Sequence, residues 1–138
     1  MSEVTRELTS HKVDGLNESL NIEVRDGPGQ GNACHHYMLT GFNTSTNPSC
    51  PFVERHGEPA EHSTVLFQNG PVGKVGFNGI TNEALLAIVE DRLLGFQSGQ
   101  FACRENAVAL TKLQECMMWL QKRTRDRMAR GVEGTHEK

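Results

Sequence analysis

No apolar run in this chain approaches the roughly 18 residues of a membrane-spanning helix. Met1-Ser2-Glu3-Val4 opens the sequence without the apolar core of a signal peptide. Four cysteines occur, at positions 34, 50, 103 and 116, and none forms a Cys-x-x-Cys pair. No internal repeat and no low-complexity segment is present. These absences predict a soluble protein made and kept in a cytoplasm, with its cysteines reduced. Cys103 and Cys116 then read as small apolar packing residues on a helix.

The charge is uneven. The 138 residues carry a net charge of -3, which argues against a general binder of DNA or RNA polymers. Residues 1–90 hold 5 Lys/Arg against 11 Asp/Glu, whereas residues 91–138 hold 9 against 6. Positive charge is densest in Lys122-Arg123-Thr124-Arg125-Asp126-Arg127.

The chain is organised around its second half. Glu83 to Leu94 and Cys103 to Met128 carry helical patterning, and Gly95-Phe96-Gln97-Ser98-Gly99 separates them with two glycines, which end helices. Thr81 is placed to cap the first helix, and Glu83 suits its first turn. Leu110, Leu113, Met117 and Leu120 follow the 3-4-3 spacing of a helix–helix seam. The first helix is about half as long as the second, so part of that stripe needs another cover, and a second subunit is the expected one.

The first half reads as strands. Leu20 to Arg25 alternates as a half-buried strand, Ala33 to Phe42 is a second, and Ser63 to Gln68 a third. Lys74 to Phe77 is a short fourth candidate. Asn69-Gly70 and Asn78-Gly79 are turn signals. Residues 43–62 have no period and three prolines, so a mobile loop is expected there, with early tryptic cleavage near Arg55. The predicted organisation is one α+β domain over residues 1–138. A flexible arm spans 1–16, a β region 17–80, a helical hairpin 81–130 and a tail 131–138.

Three constellations invite chemistry. Asp26-Gly-Pro-Gly-Gln-Gly31 has the composition of a phosphate-cradling loop, but no Gly-Lys-Ser/Thr follows and the next element reads as a strand, so a hairpin turn is the plainer account. Cys34, His35, His36, Cys50, His56 and His62 lack zinc-ligand spacing, and adjacent histidines on a strand point to opposite faces. No nucleophile elbow supports a Cys–His catalytic pair. More informative are cations set among aromatics. Arg92 lies on the first helix, and Arg104, Lys112 and Arg123 on the second. Phe67 and Phe77 stand beside Asn69 and Asn78 at the strand-to-helix junction. Guanidinium groups suit phosphates, aromatic faces suit bases, and Asn amides suit base edges or ribose hydroxyls. The same residues also read as core aromatics and a solvated helix face.

The segments Phe67-Gln-Asn-Gly-Pro, Gly76-Phe-Asn-Gly-Ile-Thr-Asn-Glu-Ala-Leu-Leu, Phe101-Ala-Cys-Arg-Glu-Asn-Ala, Trp119-Leu-Gln-Lys-Arg-Thr and Gly131-Val-Glu-Gly-Thr-His resemble a bacteriophage family. That family is the anti-Thoeris signal sponges, which share a helical hairpin with anti-CBASS sponges. The resemblance covers residues 67–136. It implies N-terminal antiparallel β-strands followed by a C-terminal antiparallel helical hairpin, assembled as a homo-oligomer, a hexamer in the family. It also implies an anti-defence protein of the infected bacterial cytoplasm. Such a protein binds cyclic ADP-ribose isomers and, in some members, cyclic di- or trinucleotides, and it holds these signals without cleaving them. No cofactor, metal or catalytic residue is implied. Phe77 and Arg104 fall in the matching segments. Asn78, Arg92, Lys112 and Arg123 join them as ligand-binding candidates from their chemistry. A phage structural or assembly protein that uses the hairpin only to oligomerise is the competing expectation. A hydrolase of the same signals is disfavoured by the lack of an acid/base or metal set.

Overall fold

The structure is a computed structural model that describes residues 6–50 and 59–131. The chain divides into two compact units, Met1–Phe67 and Gln68–Lys138. The first is a four-stranded antiparallel sheet in the order β1 (Arg6–Leu8), β2 (Asn21–Val24), β3 (His36–Thr40), β4 (Ser63–Leu66). The second is helical: α2 (Val72–Val75), α3 (Asn82–Gln97) and α4 (Arg104–Ala129). A short helix α1 (Gly15–Ser19), capped by Asp14, joins β1 to β2. The α+β class expected from the sequence is the class observed.

The register of the sheet follows its alternation. Ile22 pairs with Leu39 and Val24 with Tyr37, while Tyr37 pairs in turn with Val65, so one face collects the apolar side chains. Val24 is fully buried on that face, and Tyr37 meets Phe67 edge-on with ring centroids 5.7 Å apart. Phe67 is thus a packing residue. On the other face Glu7 lies opposite Glu23, a repulsive pairing eased by the Arg25–Glu23 ion pair at 2.8 Å. The glycine-rich segment is a hairpin turn closed by a carboxylate. Asp26 accepts the N–H groups of His35 and His36 at 3.1–3.2 Å, which gives the turn a fixed base.

Three elements differ from the sequence expectation. Residues 6–8 are not arm but edge strand, since three residues are too few to show a period and the pairing comes from β2. The Lys74–Phe77 strand is absent. Pro71, with φ -67°, instead opens α2, and the N–H groups of Lys74, Val75 and Gly76 turn back onto Pro71 and Val72 carbonyls. The alternation of Val75 and Phe77 only imitated a strand. Finally, α3 does not stop at Gly95 but continues to Gln97. One glycine inside a helix costs only about 1 kcal/mol, too little by itself to end α3 there.

Both flanks of the long loop are bonded to each other. Thr44 N–H donates to the Ala60 carbonyl at 3.0 Å, Ala60 N–H to Thr44 Oγ1 at 2.7 Å, and Asn43 to Glu61 at 2.9 Å. Residues 51–58, with the expected cleavage site at Arg55, lie outside the described residues, as does most of the expected tail. In the helical unit, Thr81 caps α3 by accepting from Ala84 N–H at 3.1 Å. The stripe Leu110, Leu113, Met117 and Leu120 is half-buried where α4 packs on α3. Cys103 and Cys116 are exposed rather than packed, and neither is in a disulfide.

Candidate functional site

The turn end of the helical hairpin gathers cations and aromatic rings. Arg92 and Phe96 stand four residues apart on α3, so they share a face, and the guanidinium lies 5.5 Å from the ring centroid. Phe101, in the turn before α4, meets Phe96 edge-to-face with centroids 6.4 Å apart and planes at 86°. Phe101 is 66% exposed, so an apolar ring is left open to solvent beside a cation. Arg104 is the first residue of α4 and is also exposed. It adds its charge to the positive end of the helix dipole, with Glu105 as a partial offset. A phosphate-bearing aromatic compound would find a stacking face, a guanidinium and helix N–H groups within one turn of each helix.

The segment leading into α3 holds a second feature. Asn78 Oδ1 accepts from Asn69 N–H at 2.8 Å, and its Nδ2 donates to the Asn69 carbonyl at 2.8 Å. Gln68 completes a clasp. Its Oε1 accepts from Asn78 N–H at 3.0 Å, while Nε2 donates to the carbonyls of Gly76 at 2.7 Å and Gly70 at 3.2 Å. Both ends of the Asn78 amide are therefore spent inside the loop. Phe77, carried by that clasped loop, is 89% exposed and is not a core residue.

The far end of α4 is the most basic surface. An open hollow of about 710 Å³ is lined, among the described residues, by Trp119, Lys122, Arg123, Asp126, Arg127 and Arg130. Trp119 is 71% exposed, whereas Arg127 is buried. Lys122 is paired with Asp126 at 2.7 Å.

The structure thus separates the six sequence-predicted residues. Arg92 and Arg104 belong to the turn end. Arg123 lies 19 residues beyond Arg104, about 28 Å along the helix at 1.5 Å per residue. Lys112 sits between them, exposed, 3.9 Å from Glu115. Phe77 and Asn78 precede α3 at its other end.

Residues 59–125 match the family model described as the Acb2/Tad1 hairpin domain. Through that stretch the chain is similar to the Acb2/Tad1 hairpin domain. The chain is also 60% identical over 76 residues to a protein named Thoeris anti-defense 1 from Bacillus phage SBSphiJ7. That match covers 55% of this chain and 54% of the phage protein, so it spans about half the length of the relative.

Within the hairpin domain, sequence reasoning passed over Phe96, Phe101 and Trp119. The i,i+4 spacing of Arg92 and Phe96 was a readable signal, since such pairs meet on one helix face. Phe101 gave none, because its contact depends on how the turn folds.

Proposed function

We propose that this protein binds and sequesters cyclic nucleotide immune signals, holding them without cleavage, as a phage anti-defence protein in the infected cell. Cyclic ADP-ribose isomers are the first ligand class and cyclic di- or trinucleotides the second. The observation that carries the reading is the exposed Arg92–Phe96–Phe101 group beside Arg104, in a chain that is 60% identical over 76 residues to a protein named for anti-defence against Thoeris. Phe96 supplies a stacking face, and Arg92 and Arg104 meet the phosphates. Phe77 is a further exposed ring, and Arg123 and Lys112 are further cations. These groups lie too far apart along one hairpin to serve one small ligand, so a shared site requires more than one chain. The clasped Asn78 acts by holding its loop rather than by reading a base edge.

Assembly into a homo-oligomer, a hexamer by family resemblance, follows from the same surface. Among the described residues the buried hydrophobic side chains are Val24 and Cys34 alone, while Ile88, Val89, Met118 and Trp119 on the hairpin are exposed. Removing a large apolar side chain from water contributes about 1.5–3 kcal/mol, and in a symmetric assembly each such residue counts once per copy. Ile88→Glu and Met118→Glu variants should therefore sediment as smaller species than wild type at micromolar concentration, with helical circular dichroism retained. A wild type that is monomeric at that concentration refutes the assembly.

The sequestration reading is tested by mixing the protein with cyclic ADP-ribose isomers and with cyclic di- and trinucleotides, then recovering the ligand after heat denaturation. The expected result is depletion from free solution and return of the ligand intact. Returned products would mark an enzyme, and no depletion of any ligand would favour a protein that uses the hairpin only to assemble. A ligand held at nanomolar affinity, about -12 kcal/mol, should add roughly 4 kcal/mol of stability at a thousandfold excess over Kd.

A further inference from the structure

We propose that Gln97 is a positioning residue that sets the Phe96–Phe101 ring pair by stapling the end of α3 to the start of α4. The assignment of those rings to a ligand rests on the reading above, but their placement does not. An α-helix begins with N–H groups that lack partners, and a common solution has two halves. The cap side chain accepts from the N–H three residues on, and a Glu or Gln at that third position reaches back to the cap's own N–H. Here α4 has only half of that arrangement locally. Cys103 Sγ accepts from Asn106 N–H at 3.4 Å, a weak thiol acceptor in place of a hydroxyl. The Cys103 N–H instead donates to Gln97 Oε1 at 3.1 Å, from the last residue of α3. The missing half of the cap is supplied by the preceding helix.

That substitution matters because of what lies on either side of it. Phe96 immediately precedes Gln97, and Phe101 stands two residues before Cys103, so the bond ties together the two backbone points that carry the rings. The rest of the turn closes without it. Ser98 N–H and Oγ both return to Gly95 O, at 3.2 and 2.7 Å, Gly99 N–H bonds to Phe96 O at 3.3 Å, and Ala102 N–H to Gly99 O at 3.2 Å. Losing the Gln97 acceptor therefore leaves both helices formed. It frees the Cys103 end of the turn, and with it Phe101.

Gln97→Met keeps the length of the side chain and removes the carbonyl acceptor, whereas Gln97→Glu keeps an acceptor. Amide exchange at Cys103 should accelerate about tenfold or more in Gln97→Met and stay near wild type in Gln97→Glu. Proton NOEs between the Phe96 and Phe101 rings should be lost in the first and retained in the second, with little change in melting temperature for either. Where wild type binds a cyclic ADP-ribose isomer, Gln97→Met should bind it about tenfold more weakly. A Gln97→Met protein that keeps both the slow Cys103 amide and the ring–ring NOEs overturns the proposal, whatever its affinity. So does a Gln97→Met protein that loses the NOEs together with the helical fold. A wild type that binds none of the nucleotides removes the sequestration reading and leaves the exchange and NOE results to decide the staple.

Discussion

Phe96→Ala is expected to weaken nucleotide binding by roughly 30-fold while leaving the hairpin folded. Stacking of a base on an aromatic side chain is worth about 1–3 kcal/mol in single-strand binders, and every 1.4 kcal/mol is tenfold in affinity. The ring also holds Arg92, in a contact worth about 0.5–1 kcal/mol at an exposed site. Its removal lets the guanidinium wander and adds to the loss. Little stability is at stake, because the α3–α4 seam is made by Leu110, Leu113, Met117 and Leu120 and their partners on α3, not by an exposed ring near the turn. Arg104→Ala should cost about 1.5–3 kcal/mol as the loss of a charge-assisted phosphate contact. Phe77→Ala is the informative comparison, since Phe77 is more open to solvent than Phe96 and lies before α3, at the end remote from Phe96 in the same hairpin. Calorimetry on the three variants, with circular dichroism to verify folding, assigns the site. Tight binding that survives Phe96→Ala and Arg104→Ala but fails in Phe77→Ala would move the ligand to the clasped loop.

The parts of this molecule that were legible in the sequence are those decided by local chemistry. The alternation of Leu20 to Arg25, the threonine before α3 and the spacing of the leucines on α4 each act within a turn or two of chain, so pattern and structure agree. The parts that were not legible depend on partners distant in sequence. Arg6–Leu8 becomes a strand only because β2 offers it an edge. Val75 and Phe77 alternate as a strand would, but the fixed φ of Pro71 and the return of three N–H groups to Pro71 and Val72 decide for a helix. Gly95 looked like a terminator, yet α3 runs past it to Phe96 and Gln97, which make their contacts with residues of the turn and of α4. The same division runs through the candidate site. Charge type and aromatic type were readable. Which cations stand beside which rings was not, because that depends on the fold of one turn and on the length of α4.

Gly41→Ala should be the most damaging single substitution in the sheet unit. Gly41 directly follows β3 and adopts φ +93°, a conformation that strains any residue with a β-carbon by about 1–3 kcal/mol. Space is the larger obstacle. A β-carbon there would stand 1.9 Å from the Ser19 carbonyl oxygen and 3.0 Å from its carbonyl carbon. Those atoms are backbone at the end of α1 and cannot rotate away as a side chain would. Relief requires β3 and the α1–β2 junction to separate, and the residues nearest that junction are the paired Asn21 and Thr40 that open the β2–β3 ladder. The segment is also tied by the His11 ring, 2.7 Å from the Leu20 carbonyl, and by Lys12, which donates to the Glu18 carbonyl at 2.7 Å. Displacing it disturbs these bonds together. Strain and overpacking add to roughly 4 kcal/mol, a large fraction of the 5–15 kcal/mol that stabilises a typical domain. Gly15→Ala provides the control. Nothing lies within 4 Å of a β-carbon at Gly15, which has no positive φ and opens α1, so alanine there should be neutral or slightly stabilising. The chain has one Tyr and one Trp, and they report on different units, Tyr37 on the sheet and Trp119 on the hairpin. Urea unfolding followed at Tyr37 should show a strongly lowered midpoint in Gly41→Ala and an unchanged or raised one in Gly15→Ala. A Gly41→Ala protein within about 1 kcal/mol of wild type by that signal would mean that the close approach of Gly41 to Ser19 is not part of the folded sheet unit.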